Sequence, residues 1–193
     1  MNIKTDILQI IKDESRVFFD KQIEGRFLSD TLGRLVGKAD VLVFATSTEE
    51  VSALLKYADA NKISVTPRGA GTNLVGSTVP QNGGIIIDFS KMNKILEFDA
   101  DTFTATVESG ILLKDFQAFV ESKGFFYPPD PGEKSASVGG NIATNAGGMR
   151  AVKYGVTRDY VRGLEVVLAD GSVTWVGSKN VKDASGLSLK NLI

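Results

Sequence analysis

The 193-residue chain contains no cysteine and no histidine. Without cysteine there are no disulfides, no thiolate nucleophile and no cysteine-ligated metal or cluster. Without histidine the chain lacks the usual general base and the commonest metal ligand. A marked excess of either charge is also missing: 22 basic and 23 acidic residues leave a formal net charge of −1. There is thus no electrostatic case for nucleic acid or an anionic membrane as the main partner. The stretch Met1 to Phe19 is charged at intervals and has no continuous apolar run, so it reads as neither signal peptide nor membrane span. A cytoplasmic protein is the expectation. The 42% of hydrophobic residues can build the core of one large domain or two small ones.

Glycine is plentiful, and it is concentrated in two segments about seventy residues apart. The first runs Pro67-Arg68-Gly69-Ala70-Gly71-Thr72-Asn73-Leu74-Val75-Gly76-Ser77, and the second runs from Ser135 to Gly148. Glycine has no side chain to hold a ligand away and tolerates positive φ, so successive N–H groups can converge on one anion. Two such segments in one small protein point to a ligand with a diphosphate, gripped from two sides. The first lacks the Gly-Lys-Ser/Thr ending of a nucleotide-hydrolase loop. Its third glycine is misplaced for a dinucleotide fingerprint, and Gly76, Pro80 and Gly83-Gly84 do not open a helix. Structural turns are the alternative reading of the first segment. For the second, the alternative is a tight turn and a short helix in which Ser and Asn cap backbone groups. The approach Pro128-Pro129-Asp130-Pro131-Gly132 is stiff and non-helical, because proline fixes φ and removes donors.

Periodicity places the segments among mixed elements. Ile7, Leu8, Ile10, Ile11 and Val17 predict a helix over 5–18. Val41–Ala45 reads as a buried strand, and Ser47-Thr48-Glu49-Glu50 as a capping box opening a helix with Val51, Leu54, Leu55 and Ala58 inward. Strands follow at Ile63–Thr66, Gly84–Asp88 and Thr102–Glu108, then a helix over Leu112–Lys123 with Gly124 behind it. Gly163–Leu168 and Ser172–Val176 flank Ala169-Asp170-Gly171 as a hairpin. The class is α/β or α+β. Lys153, Arg158 and Asp159 read as a solvated, paired stretch, and the carboxylates Asp130 and Glu133 as turn and surface residues before candidate bases.

The two glycine segments, with Tyr127-Pro128-Pro129-Asp130-Pro131 and the run Val152-Lys153-Tyr154-Gly155-Val156-Thr157-Arg158-Asp159-Tyr160-Val161, resemble a known family. It is the FAD-binding domain of the vanillyl-alcohol oxidase (PCMH) type, in the glycolate oxidase and D-lactate dehydrogenase branch. Gly163-Leu164-Glu165-Val166-Val167-Leu168-Ala169-Asp170-Gly171 continues the likeness. The resemblance implies an α+β fold of two small α/β subdomains, with residues 1–40 as an N-terminal helical segment and 41–193 as the FAD-binding domain. It implies cofactor contacts from Pro67, Arg68, Gly69, Ala70, Gly71, Thr72, Asn73, Gly76 and Ser77. Pro131, Ser135, Ser137, Gly139, Gly140, Ala143, Thr144 and Gly147 match the stretch along the diphosphate, ribityl chain and flavin edge. Tyr154, Gly155 and Val161 fall near ribose and adenine. Blander roles stay open beside these: a core aromatic for Tyr154, packing for Val161, a surface ion pair for Arg68. With neither histidine nor cysteine, FAD is expected to bind non-covalently.

The same resemblance implies oxidation of a small D-2-hydroxy acid, with an electron acceptor or partner subunit reoxidising the flavin. Association with a membrane would come only through partners. Two alternatives are a non-catalytic flavin-binding subunit and a relative that acts on another alcohol. Relatives of this type continue past the point matching Ala184–Ile193 into a substrate domain, so catalytic and metal-binding residues are not expected among these 193.

Overall fold

The computed structural model describes residues 2–182, 184 and 186–192. Met1 and Ile193, which bound the two expected domains, and Ser185 of the closing segment lie outside the described residues. The chain forms two compact units: residues 1–92 with 167–173, and residues 93–166 with 174–193.

The first unit begins with α1 (Ile3–Ile10), capped by the Asn2 side chain on the Lys4 amide. The helix predicted over 5–18 stops there. Asp13 takes the Ser15 amide and opens a 3₁₀ turn, and the aromatic run that follows becomes strand β1 (Val17–Phe19). Three further strands complete a sheet: β2 (Val41–Phe44), β3 (Val65–Arg68) and β4 (Ile85–Asp88), in the order β1-β2-β4-β3. β1 is antiparallel to β2, whereas β2 and β3 run parallel to β4. All four residues of β4 are buried, because the sheet is covered on both faces. Val41, Val43, Ile85 and Ile87 face α1 and α2 (Thr48–Asn61), packing with Ile7, Ile11 and Leu54. Leu42 and Ile86 face the other way, onto Ile23 and Phe27. Each such side chain contributes about 1.5–3 kcal/mol by leaving water. Pro67 is tolerated in β3 because that strand is at the sheet edge.

The expected capping box is half formed. Ser47 Oγ accepts from the Glu50 amide at 3.3 Å, but Glu50 reaches past Ser47 to the Thr46 amide at 2.9 Å. Its carboxylate also receives a two-pronged Arg16 guanidinium at 2.7 and 2.8 Å. Arg16 donates as well to the Phe44 carbonyl, tying the 3₁₀ turn to the end of β2. These bonds hold the Glu50 carboxyl below its ordinary range, the Arg16 hydrogen bond being the largest cause. α2 ends with the Ile63 amide on the Ala58 carbonyl and Lys62 at φ 54°, a left-handed position that glycine usually fills. The hairpin turn within 167–173 closes this unit, with Ser52 Oγ donating to the Gly171 carbonyl at 2.6 Å.

The second unit opens with an antiparallel pair, β5 (Ile95–Asp99) and β6 (Thr104–Val107). Sequence periodicity misses β5 because its register shifts between Ile95 and Glu97, which breaks the alternation. Next come α3 (Leu113–Ser122), α4 (Val138–Ala143), α5 (Ala151–Tyr154), β7 (Gly163–Val167) and β8 (Val173–Gly177). α3 ends as predicted, with Gly124 at φ 81° and the Phe125 amide on the Val120 carbonyl. The core gathers Ile111, Phe116, Val120 and Val138 against both strands of the pair. Phe98 meets Phe119 and Phe125 edge-on at 5.6 and 5.3 Å. The described residues of 1–40, expected to be helical, thus hold one α-helix together with 3₁₀ turns and a strand of the sheet.

Two outcomes follow from these contacts. Glu50 is held ionised in the fold, so its contribution is present above the unfolded carboxyl value of about 4.3 and is lost as pH falls through the lower folded value. Thermal melts between about pH 5 and pH 3 should therefore fall more steeply for the unsubstituted chain than for Glu50→Gln; parallel curves would deny the pair this role. At the end of α2, Lys62→Gly should raise stability by about 0.5–1 kcal/mol, seen as a higher denaturation midpoint.

Candidate functional site

The first glycine segment leaves β3 at its C-terminal end, the end at which parallel sheets offer ligand sites. Gly71 and Gly76 both have positive φ, 72° and 71°. A side chain at Gly71 would run into the Arg68 guanidinium, and one at Gly76 into Leu35. Asn73 organises the turn that follows. Its Oδ1 accepts from the Val75 and Ser77 amides at 3.2 Å each, while Nδ2 donates to Thr78 Oγ1 at 2.8 Å. Before that turn, the N–H groups of Gly69, Ala70, Gly71, Thr72, Asn73 and Leu74 meet no acceptor among the described residues. Six uncommitted donors in a row, two of them on glycine, suit an anionic group.

Arg68 does not form the surface ion pair that the sequence leaves open. It is 7% exposed and lies inside the unit. Its donors go to the carbonyls of Arg26, Ser29 and Thr78 and to Thr78 Oγ1. Its guanidinium carbon lies 5.6 Å from the centre of the Phe27 ring. Burial lowers its proton affinity, and Asp88, the facing residue in the β3–β4 register, works against that. Asp88 is itself buried and pushed above the ordinary carboxyl range, mainly by desolvation. The segment 25–37 supplies two of these four acceptors and also places Thr31 Oγ1 on the Gly71 carbonyl at 3.1 Å. Within it Asp30 is 7% exposed, and its Oδ1 has no partner among the described residues. These residues were not foreseen, although Gly25, Ser29, Asp30, Gly33 and Gly37 form a turn-rich run that argues against a helix there. A cavity of about 390 Å³ adjoins the segment, lined by Ser64, Thr66, Gly76, Val79, Gln81 and Asn82 among others.

The second segment is built differently. Ser137 caps α4 with its Oγ on the Gly140 amide at 3.2 Å. The Val138 and Gly139 amides donate to the carbonyls of Ile111 and Ser109, both at 2.8 Å. The first turn of α4 therefore has no free donor, and the capping alternative describes Ser137 well. Gly139 is small because Ser109 lies against it, and Gly148 because the Asp130–Pro131 backbone does. Gly147 retains room, with the nearest neighbour at 3.5 Å from an added Cβ. The N–H groups of Gly147, Gly148 and Met149 have no acceptor among the described residues. Ser135 is turned onto Glu133, whose carboxyl it holds below the ordinary range. Thr144 Oγ1 bonds back to the Gly140 carbonyl, and Ala143 ends the helix.

Tyr154 packs edge-on against Phe126 at 5.8 Å, and its carbonyl accepts from the Tyr160 hydroxyl at 2.6 Å. Gly155, at φ 86°, makes room for the Asp159 carboxylate, which takes the Val156 amide at 2.8 Å. Val161 follows the 3₁₀ turn that closes on it. Neither carboxylate considered as a base is free. Asp130 is buried and paired with Arg150 at 3.3 Å, and Glu133 is held by Ser135. The Tyr127 hydroxyl is pushed up to about 12 by burial and by Tyr160, which keeps it neutral. Among the described residues there is no cluster of three metal-ligating side chains, and no helix is long and apolar enough to cross a membrane.

A family model described as "FAD binding domain" matches residues 39–177. "D-lactate dehydrogenase" of Anaerostipes hadrus is 53% identical over 180 residues, 92% of this chain and 38% of the relative. "Glycolate oxidase subunit GlcD" of Bacillus subtilis (strain 168) is 42% identical over 194 residues, 99% of this chain and 41% of the relative. Among solved structures, alkyldihydroxyacetonephosphate synthase superposes with a TM-score of 0.81 at 22% identity, covering 100% of this chain and 36% of that one. That last likeness concerns the fold alone. The chain spans about two fifths of the length of the two curated relatives. The uncommitted donors, the buried cation beneath them and the family match over most of the chain lead to one conclusion: this chain belongs to the FAD-binding-domain family.

Proposed function

We propose that this chain binds FAD non-covalently as the cofactor-binding portion of an oxidoreductase that converts a D-2-hydroxy acid to the 2-oxo acid. The observation that carries the reading is the run of six uncommitted N–H groups from Gly69 to Leu74. They would take the diphosphate, with the Thr72 hydroxyl beside them and Pro67, Gly76 and Ser77 framing the segment. In the second segment, Gly147 and the amides after it have capacity left, whereas Ser135, Ser137, Gly139 and Gly140 would shape the wall and not donate to the ligand. Pro131, Ala143, Thr144, Tyr154, Gly155 and Val161 would line that wall. When bound, FAD supplies the redox chemistry by accepting a hydride equivalent. The residues of this chain bind and orient it.

The substrate class rests on the names of the relatives, D-lactate dehydrogenase and a glycolate oxidase subunit. The second name also favours a partner for the whole protein, either a further subunit or an electron acceptor. A purely flavin-binding role is the second reading, favoured by the engagement of Asp130 and Glu133 in other bonds.

Mixing the purified chain with FAD and desalting tests the cofactor directly. Flavin absorption should stay with the protein, and Gly71→Val should lose it while keeping far-ultraviolet circular dichroism, since a β-branched residue at φ 72° must displace the segment. A colourless unsubstituted chain would remove the reading. Under nitrogen, bound FAD should stay oxidised when D-lactate or glycolate is added, yet bleach on photoreduction, because Asp130 and Glu133, the carboxylates considered as bases, are engaged in other bonds. Bleaching by D-lactate itself would place the catalytic base within this chain.

A further inference from the structure

The contacts that hold the shape of the first glycine segment converge on two side chains. Arg68 lies under it, with Gly71 so close above the guanidinium that an added Cβ would collide with it. Its acceptors are all uncharged: the Arg26 carbonyl at 2.7 Å, the Ser29 and Thr78 carbonyls at 3.4 Å and Thr78 Oγ1 at 3.2 Å. No described carboxylate comes within ion-pairing distance of it. Asp88 tempers the charge from a longer range. A guanidinium keeps its proton even when buried, so the loop is backed by a full positive charge. Thr78 joins the two ends of the segment. Its single hydroxyl oxygen accepts both from Arg68, where the segment starts, and from Asn73 Nδ2 at 2.8 Å. Asn73 in turn fixes the amides of Val75 and Ser77.

We infer that Arg68 and Thr78 are positioning residues for the diphosphate: together they keep the six donors of Gly69–Leu74 uncommitted and place a cation behind them, without touching the ligand. This rests on the FAD reading above. Two features separate the assignment from ordinary core packing. The polar contacts run to the glycine segment and the 25–37 segment facing it, and the charge has no ion pair to neutralise it. An anionic group at the donors would be its natural counter-charge.

Thr78→Val, Thr78→Ser and Arg68→Lys test this. The readouts are FAD and ADP affinity by titration, amide hydrogen exchange of the ligand-free chain, and its melting temperature. Thr78→Ser keeps the hydroxyl and should bind within about twofold of the unsubstituted chain. Thr78→Val should lose about tenfold for both FAD and ADP, the equivalent of one lost hydrogen bond of about 1.4 kcal/mol. Its amides at Val75 and Ser77, which Asn73 Oδ1 holds in the unsubstituted chain, should exchange faster while those of β2 and β4 do not. Arg68→Lys should also bind more weakly, because an ammonium cannot span four acceptors in the planar geometry of the fork. Unchanged exchange and affinity in Thr78→Val would overturn the inference, as would an equal loss in Thr78→Ser. A chain that binds neither FAD nor ADP would overturn the functional reading together with the ligand named here, whereas unchanged loop exchange in Thr78→Val would overturn the positioning role alone.

Discussion

Burial of β4 between β2 and β3 is the constraint from which the rest follows. A strand paired on both sides and covered on both faces can carry only apolar residues along its length, and Ile85-Ile86-Ile87 supplies them. Polar groups appear where the strands end, at Arg68 and Asp88, which stand opposite each other in the register. The cation there cannot reach bulk water, so carbonyls must satisfy it, and segment 25–37 and Thr78 provide them. β3 ends at Arg68, and the backbone leaves the sheet there. It passes above the guanidinium at Gly71 with its donors unspent.

The two glycine-rich segments look alike in composition and differ in physics. In the first, Gly71 and Gly76 adopt left-handed backbone and the donors remain open. In the second, Gly139 and Gly148 are required by neighbouring backbone, and the first turn of α4 spends its donors on Ile111, Ser109 and Ser137. Glycine richness records close approach. Whether the approaching group is a ligand or another stretch of the same chain depends on which donors are already used.

Asp130 is tied into an ion pair and Glu133 into a turn, and the chain holds neither histidine nor cysteine. What it offers is a rigid, buried sheet and a donor-rich exit from that sheet, which is the protein's usual share where a flavin carries the redox chemistry.

Local pattern alone was enough for the apolar strands β2 and β4, for α2 with its Ser47 cap and α3 with Gly124 behind it, for the hairpin turn at Ala169-Asp170-Gly171, and for the two glycine segments and their family. Each depends on spacings within a few residues, where side-chain period and backbone preference are written directly. The tertiary structure decided the rest. Val17-Phe18-Phe19 became a strand because β2 lay beside it to pair with. β5 escaped notice because its register shift is defined only by its partner. Glu50 reached Thr46 and Arg16 because the 3₁₀ turn at Arg16 lies against the end of β2. Arg68 turned inward, onto Thr78 and a segment some forty residues earlier in the chain, because only there could buried carbonyls meet its donors. Hydrogen-bond partners far apart in sequence leave no local trace, and which donors stay free is settled only after all the others have been used.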